Sequence, residues 1–186
     1  MEYRRASTDE DFQKIFELQN KNLFNNLSIE EKQSGFLSAA FTISQLKEIN
    51  KSLCIMTCFD NSKLVGYSCA ATVEYYKDVP LIAAMANQFN KISYKDKFIS
   101  TYSPFISGPA CVDKDYRGHG IYHHLINHLT EYLLNLSTPP DLRVLLVSPA
   151  NQKSISVQIK MGLDIVGEFE FEQKKFLIIV KLLNTN

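Results

Sequence analysis

The sequence has no CxxC pair, no excess of either charge and no apolar run long enough to cross a bilayer. Each absence removes a class of function. Zinc ribbons need a CxxC at each end of the site. The four cysteines are Cys54, Cys58, Cys69 and Cys111, and three of them lie in strand-like runs (CIMTCF, GYSCAATV). There cysteine acts as a small hydrophobe, so reduced structural thiols and no metal are expected. Twenty basic residues cancel twenty acidic ones. A protein that lives on contacts to long polyanions carries a basic excess or stripe, so nucleic acid is not an expected partner. A small phosphorylated ligand is still compatible with this balance. The longest apolar stretch, FLIIVKLL at 176–183, is strand-length and contains Lys181, so no membrane association is expected. No apolar h-region follows the arginines of MEYRRASTDEDF; a secretory signal is not expected, and the cytoplasm is the expected compartment. With no repeat, low-complexity tract or Gly/Ser/Pro linker, residues 1–186 are expected to form one domain.

What is present alternates between helical and strand periodicity. STDEDFQKIFEL begins with Ser7 and has Glu10 three residues on, the spacing of a capping box. LSIEEKQSGFL repeats the signal with Ser28 and Glu31, and TISQLKEIN places Ile43, Leu46 and Ile49 on one face. The opening fifty residues therefore read as helical. SLCIMTCF and KLVGYSCAATVEYY, separated by DNSK, predict a β-hairpin. PLIAAMANQFNKI reads as a helix with Pro80 in its first turn. FISTYSPFISGPACV is strand-like, but Pro104, Gly108 and Pro109 predict a bulge or a change of partner. A helical pattern runs from Arg117 to Leu136, and LRVLLVS at 142–148 reads as a strand buried on both faces. NQKSISVQIKMG predicts a short helix with Asn151 at its N-cap and Gly162 just past its end. LDIVGEFEFE and KKFLIIVKLL predict a closing hairpin. The fold class is α+β or mixed α/β.

The stretch with the most chemical content is CVDKDYRGHGIYHHL. An apolar strand ending at Val112 passes through DKDY into Arg117-Gly118-His119-Gly120-Ile121-Tyr122, and then into a helix. The N–H groups of a helix's first turn lack intrahelical partners, and the dipole adds partial positive charge, so this arrangement attracts anions. Glycines let a phosphate approach the backbone, and Arg117 is placed to add a charge-assisted bond at the rim. The spacing is neither a Walker A loop, which needs GK[ST], nor a Rossmann fingerprint, which needs a third glycine and a downstream acid. The histidines at 119, 123, 124 and 128 fall in pairs four apart, without the glutamate of a zincin motif. They read as polar-face residues of the helix, with His119 in the loop and near any phosphate.

This stretch resembles the signature of the GNAT acyltransferase superfamily, a strand followed by Arg/Gln-x-x-Gly-x-Gly/Ala. Arg117 stands first and Gly120 fourth, while Tyr122 replaces the commonest small residue. LRVLLVSPANQKSISVQIKMGLDIVGEF resembles the family's next strand-helix-strand, with Asn151, Ser154, Lys160 and Gly162 in frame and Leu163 in place of Phe. The resemblance covers about Ile106 to Phe169, and the order of elements elsewhere agrees. It implies a GNAT-like mixed sheet of about six to seven strands flanked by helices, after a helical N-terminal region. It also implies an acetyl-CoA-dependent N-acyltransferase acting on the primary amine of a small molecule or peptide. The amides of Arg117, Gly118, His119, Gly120, Ile121 and Tyr122 would bind the CoA pyrophosphate, Cys111 and Val112 would pair with pantetheine, and Asn151 and Ser154 would line the channel. Many members place a tyrosine acid where this chain has Gln158, which cannot supply a proton near neutral pH. Tyr122, Ser154 and Cys111 are substitutes by neighbourhood. Glu74, Tyr75, Tyr76 and Ser148 are base candidates, none singled out. Gln158 keeps a second reading open, an acyl-CoA-binding regulatory module without catalysis. The acceptor and the oligomeric state stay open, with a homodimer among the alternatives.

Overall fold

The computed structural model describes residues 1–38 and 40–183. Seven strands form one mixed sheet in the order β1 (Glu2–Arg5), β2 (Cys54–Asp60), β3 (Lys63–Thr72), β6 (Pro104–Val112), β7 (Leu142–Val147), β9 (Lys174–Leu182), β8 (Asp164–Phe171), and β4 (Ser93–Tyr94) and β5 (Lys97–Phe98) form a separate two-stranded ribbon. This is the mixed α/β class expected. Chain contacts divide the molecule into two compact units, Met1–Ala71 with Ser107–Leu133, and Thr72–Ile106 with Leu134–Asn186.

The first unit opens with a strand where a helical start was expected. β1 (Glu2–Arg5) pairs antiparallel with β2 (Cys54–Asp60) through Glu2–Phe59 to Arg5–Met56. Four residues carrying three charges have no strand periodicity to read; the pairing partner supplies the order. α1 (Asp9–Lys21) follows, and its N-cap is Thr8 reciprocated by Asp11, not Ser7 with Glu10. The frame is set by Asp11. Its carboxylate accepts from Arg4 at 2.7 and 2.8 Å as well as from the Ser7 and Thr8 N–H groups, which ties α1 to β1. α2 (Ile29–Gln33) has the expected Ser28–Glu31 box, and α3 (Ile43–Ser52) has a Thr42–Gln45 box. β2 pairs antiparallel with β3 (Lys63–Thr72), and Asn61 takes φ +53° in the turn. Val73 to Tyr76, expected to continue this strand, lie in a turn with Tyr76 N–H donating to Val73 C=O. The core joins Ile15 of α1, Leu46 and Ile49 of α3, and Ile55 and Cys58 of β2, all fully buried.

The second unit holds α4 (Pro80–Ala86), with Pro80 in the first turn, then β4 (Ser93–Tyr94) and β5 (Lys97–Phe98). β6 (Pro104–Val112) starts here and pairs in parallel with β7 (Leu142–Val147) through Pro104, Phe105 and Ile106. The irregularity expected in β6 falls at Gly108, with φ +131° and a cis bond to Pro109. α5 (Ile121–Leu134) begins in the first unit, four residues later than the periodicity suggested. α6 (Gln152–Lys160) is followed by Gly162 at φ +76°. The closing hairpin is β8 (Asp164–Phe171) and β9 (Lys174–Leu182), with β9 also antiparallel to β7. Leu145, Val147, Leu163 and Ile179 form a buried cluster with Ile155, Met161 and Leu177 packed on it. Among the described residues, no helix is long and apolar enough to cross a membrane.

Candidate functional site

Just past the end of β6 the chain keeps one contact with β3, Asp113 N–H donating to Val65 C=O at 2.8 Å. The Asp113 carboxylate then accepts from Asp115 N–H at 3.1 Å and pairs with Lys63 at 3.0 Å. Burial raises the Asp113 carboxyl, but Lys63 and the Asp115 N–H outweigh it and hold its pKa below the usual range. Lys114–Tyr116 make one 3₁₀ turn, anchored where Tyr116 donates to the Asp60 carboxylate at 2.9 Å. The loop therefore leaves the strand on fixed points.

Gly118 and Gly120 have φ of +83° and +76°, the left-handed region that glycine enters without steric cost. A Cβ built on Gly118 would have no atom within 4 Å, so the glycine answers to backbone conformation and leaves open space above the loop. The first bond of α5 runs from His124 N–H to Gly120 C=O at 3.1 Å. The N–H groups of Ile121, Tyr122 and His123 thus precede the ladder, at the positive end of a 14-residue helix. The open space at Gly118, the two left-handed glycines and this helix terminus make a backbone-lined, electropositive end of the kind that attracts anions.

The side chains around the loop have other work. Ile121 is buried and packs towards Gly66, where a Cβ would meet Ile121 Cγ2 at 3.2 Å and Leu125 Cδ1 at 3.1 Å. Tyr122 is half-buried and His119 exposed, its Nδ1 3.3 Å from Tyr116 C=O. The Arg117 guanidinium, expected at the rim, is engaged in hydrogen bonds within the protein. Its Nε donates to Val112 C=O at 3.1 Å, Nη1 to Ser34 C=O at 3.2 Å and Nη2 to Asn22 Oδ1 at 2.7 Å. Cys111 is buried, and burial pushes its thiol up to about 12. His124 and His128 flank the Tyr3 ring, with centroids at 5.7 and 4.9 Å. Among the described residues, no group of three or more His, Cys, Asp or Glu side chains is arranged to hold a metal ion.

In the second unit Asn151 caps α6, its Oδ1 accepting from Ser154 N–H at 3.2 Å, and both residues are half-buried. Gln158 is 4% exposed, and its Oε1 accepts from Nη2 of Arg143, itself 2% exposed, at 3.3 Å. Of the base candidates, Tyr76 is buried and Glu74 pairs with Lys77 at the surface. Two features escape sequence reading. Gly66 is a strand glycine whose only signal is a missing side chain at the foot of α5. Asn22 and Ser34 meet Arg117 across 95 and 83 residues of chain and carry no motif.

No protein-family model matches the sequence, and no curated protein matches it. Solved structures do match over nearly the whole chain. An acetyltransferase of the GNAT family from Streptococcus pneumoniae is 15% identical with a TM-score of 0.63, covering 98% of this chain and 99% of that one. A ribosomal-protein-alanine N-acetyltransferase from Brucella melitensis is 14% identical with a TM-score of 0.63, covering 98% and 100%. An aminoglycoside 6′-N-acetyltransferase solved with coenzyme A is 12% identical with a TM-score of 0.66, covering 100% and 99%. At these identities the likeness is one of architecture, and the chain has the fold of the GNAT acetyltransferases.

Proposed function

We propose that the chain is an N-acyltransferase that moves an acetyl group from acetyl-CoA directly onto a primary amine of a small molecule or peptide. The observation that carries this reading is the loop from Val112 to Tyr122, with its left-handed Gly118 and Gly120 opening the helix α5, on a GNAT fold. In this reading the backbone N–H groups of Gly118, His119, Gly120, Ile121 and Tyr122 hold the CoA pyrophosphate, whereas the Arg117 N–H already donates to Lys114 C=O at 3.4 Å. The strand end at Cys111 and Val112 pairs with pantetheine, and Asn151 and Ser154 line the donor channel.

The amine lone pair attacks the thioester carbonyl carbon, forming the C–N bond. The carbonyl oxygen takes up negative charge, which N–H donors stabilise, and the C–S bond then breaks. The ammonium proton leaves to a base or to water, and the departing thiolate takes a proton from solvent or an acid. Direct transfer is favoured over a cysteinyl intermediate. With its pKa pushed up to about 12, the Cys111 thiol is not ionised near pH 7 and is a poor nucleophile.

The position of Gln158 favours a second reading, an acyl-CoA-binding module without turnover. Its amide is buried against Arg143 and cannot act as an acid near neutral pH. A thiol-release assay with acetyl-CoA separates the two. The named neighbours act on a ribosomal-protein alanine and on an aminoglycoside, so the amine panel should include peptide N-termini and aminoglycosides. Turnover on any amine supports the transferase; tight CoA binding with no turnover supports the module. A melting temperature raised by ATP but not by CoA would remove both.

A further inference from the structure

We propose that the Arg117 side chain is a positioning residue, a strut that fastens the phosphate-binding loop to the segment 22–37, and not a ligand of the phosphates. The proposal rests on the CoA-binding reading of the loop. All three guanidinium nitrogens already donate within the first unit, to Val112 C=O, Ser34 C=O and Asn22 Oδ1. One anchors the guanidinium to the strand that leads into the loop. The other two grip the far segment.

The far end of the strut is itself fixed. Asn22 is 6% exposed, and its Nδ2 donates to Leu18 C=O at 2.9 Å, leaving Oδ1 aimed at Arg117. The Asn22 carbonyl accepts from Leu37 N–H, and Phe24 N–H donates to Leu37 C=O, both at 2.9 Å. These two bonds close residues 22–37 into a loop whose neck lies at Asn22. A Lys114–Glu31 pair at 3.5 Å is a second tie, exposed and weak. Between the two loops is a cavity of about 880 Å³, lined by Asn22, Asn26 and Glu31 on one side and Lys63, Lys114 and Arg117 on the other. Arg117 thus spans from the closed loop to the backbone that presents the amides. Its three acceptors are neutral and fit a planar fork of donors, which a lysine cannot reproduce.

The test is CoA affinity, read by calorimetry with CoA alone, together with amide hydrogen exchange in the free protein. Breaking a hydrogen bond to a charged donor and loosening the loop should weaken CoA about tenfold in Asn22→Ala, although Asn22 is not a phosphate ligand in either account. Arg117→Lys should weaken it similarly despite keeping the charge, with the wild-type salt dependence retained. The double variant should lose no more than the single ones, because both cut the same strut. Asn22→Asp keeps the acceptor for Arg117 but loses the bond to Leu18 C=O, so it should bind CoA more tightly than Asn22→Ala and less tightly than wild type. In the free protein, Asn22→Ala and Arg117→Lys should speed exchange at the Phe24 and Leu37 amides. The strut is refuted if exchange there is unchanged in both variants. It is also refuted if Asn22→Ala binds CoA like wild type while Arg117→Ala binds weakly with a flatter salt dependence, the signature of a direct phosphate contact. Wild-type protein that fails to bind CoA would overturn the functional reading, while the exchange experiment would still decide the strut.

Discussion

Replacing Gly66 by alanine would set a methyl carbon 3.1 Å from Leu125 Cδ1, 3.2 Å from Ile121 Cγ2 and 3.3 Å from the Cys111 carbonyl oxygen. Ordinary van der Waals contact begins a few tenths of an ångström further out, so something must move. The two side-chain methyls must give by a few tenths of an ångström, and the third atom belongs to the backbone of β6. Ile121 is the first residue of α5, and Cys111 lies in β6 just before the loop. Overpacking of this kind costs about 1–3 kcal/mol. For a chain of 186 residues, about 2 kcal/mol corresponds to a fall in Tm of roughly 4–8 °C. Because the strain falls on both ends of the loop proposed to bind phosphate, CoA affinity should drop with it if that proposal holds. Differential scanning calorimetry and CoA titration of Gly66→Ala read both quantities. A Tm within about 1 °C of wild type would refute the close approach of β3 and α5. A lowered Tm with unchanged CoA affinity would keep the packing argument but detach Gly66 from the loop.

Gly118→Ala meets no atom within 4 Å but must hold φ near +83°. It should cost about 1 kcal/mol of stability and weaken CoA binding in titration by a larger factor than that loss, because the methyl enters the space above the amides. Asn151→Ala removes the cap of α6 and should lower stability by about 1 kcal/mol in urea unfolding. Burial raises the Asp11 carboxyl, but Arg4 and the Ser7 and Thr8 N–H groups outweigh it and hold the pKa well below the usual range. The folded value is thus below the unfolded one of about 4. The stabilisation is complete above that pH and is lost as pH falls through the folded value. Asp11→Asn should cost roughly 2 kcal/mol at pH 7 and flatten the acid limb of a urea-stability profile below about pH 4.

The sequence carries the two interior helices well, because their information is local. Asn151 and Gly162 bracket α6, as their capping roles require. The glycines of the loop into α5 are legible for the same reason, but the helix start is not: the periodicity runs from Arg117, whereas α5 begins at Ile121. The N-terminus behaves differently. Ser7–Glu10 and Thr8–Asp11 are both capping-box frames, one residue apart. The choice between them falls to Arg4, whose guanidinium takes the Asp11 carboxylate in two hydrogen bonds. Arg4 is in position only because β1 pairs with β2, more than fifty residues away. A short edge strand without apolar alternation has no signature until its partner is folded.

Gln158 shows the same limit from the catalytic side. By motif it stands where an acid is expected, and from the sequence its meaning is a missing proton donor. In the structure it also has a positive reason to be an amide. Arg143 lies on β7 at 2% exposure, and a buried guanidinium needs acceptors to offset its desolvation. The Gln158 carbonyl oxygen provides one of them without adding a second buried charge. A tyrosine hydroxyl at this position would have to serve Arg143 as an acceptor and the leaving thiolate as a donor. The glutamine is therefore accounted for by the interior of its own unit, whether or not the chain turns over an amine. If it does, the leaving thiolate takes its proton from elsewhere, and the Cys111 thiol, pushed up to about 12, is too weak an acid to supply it near pH 7.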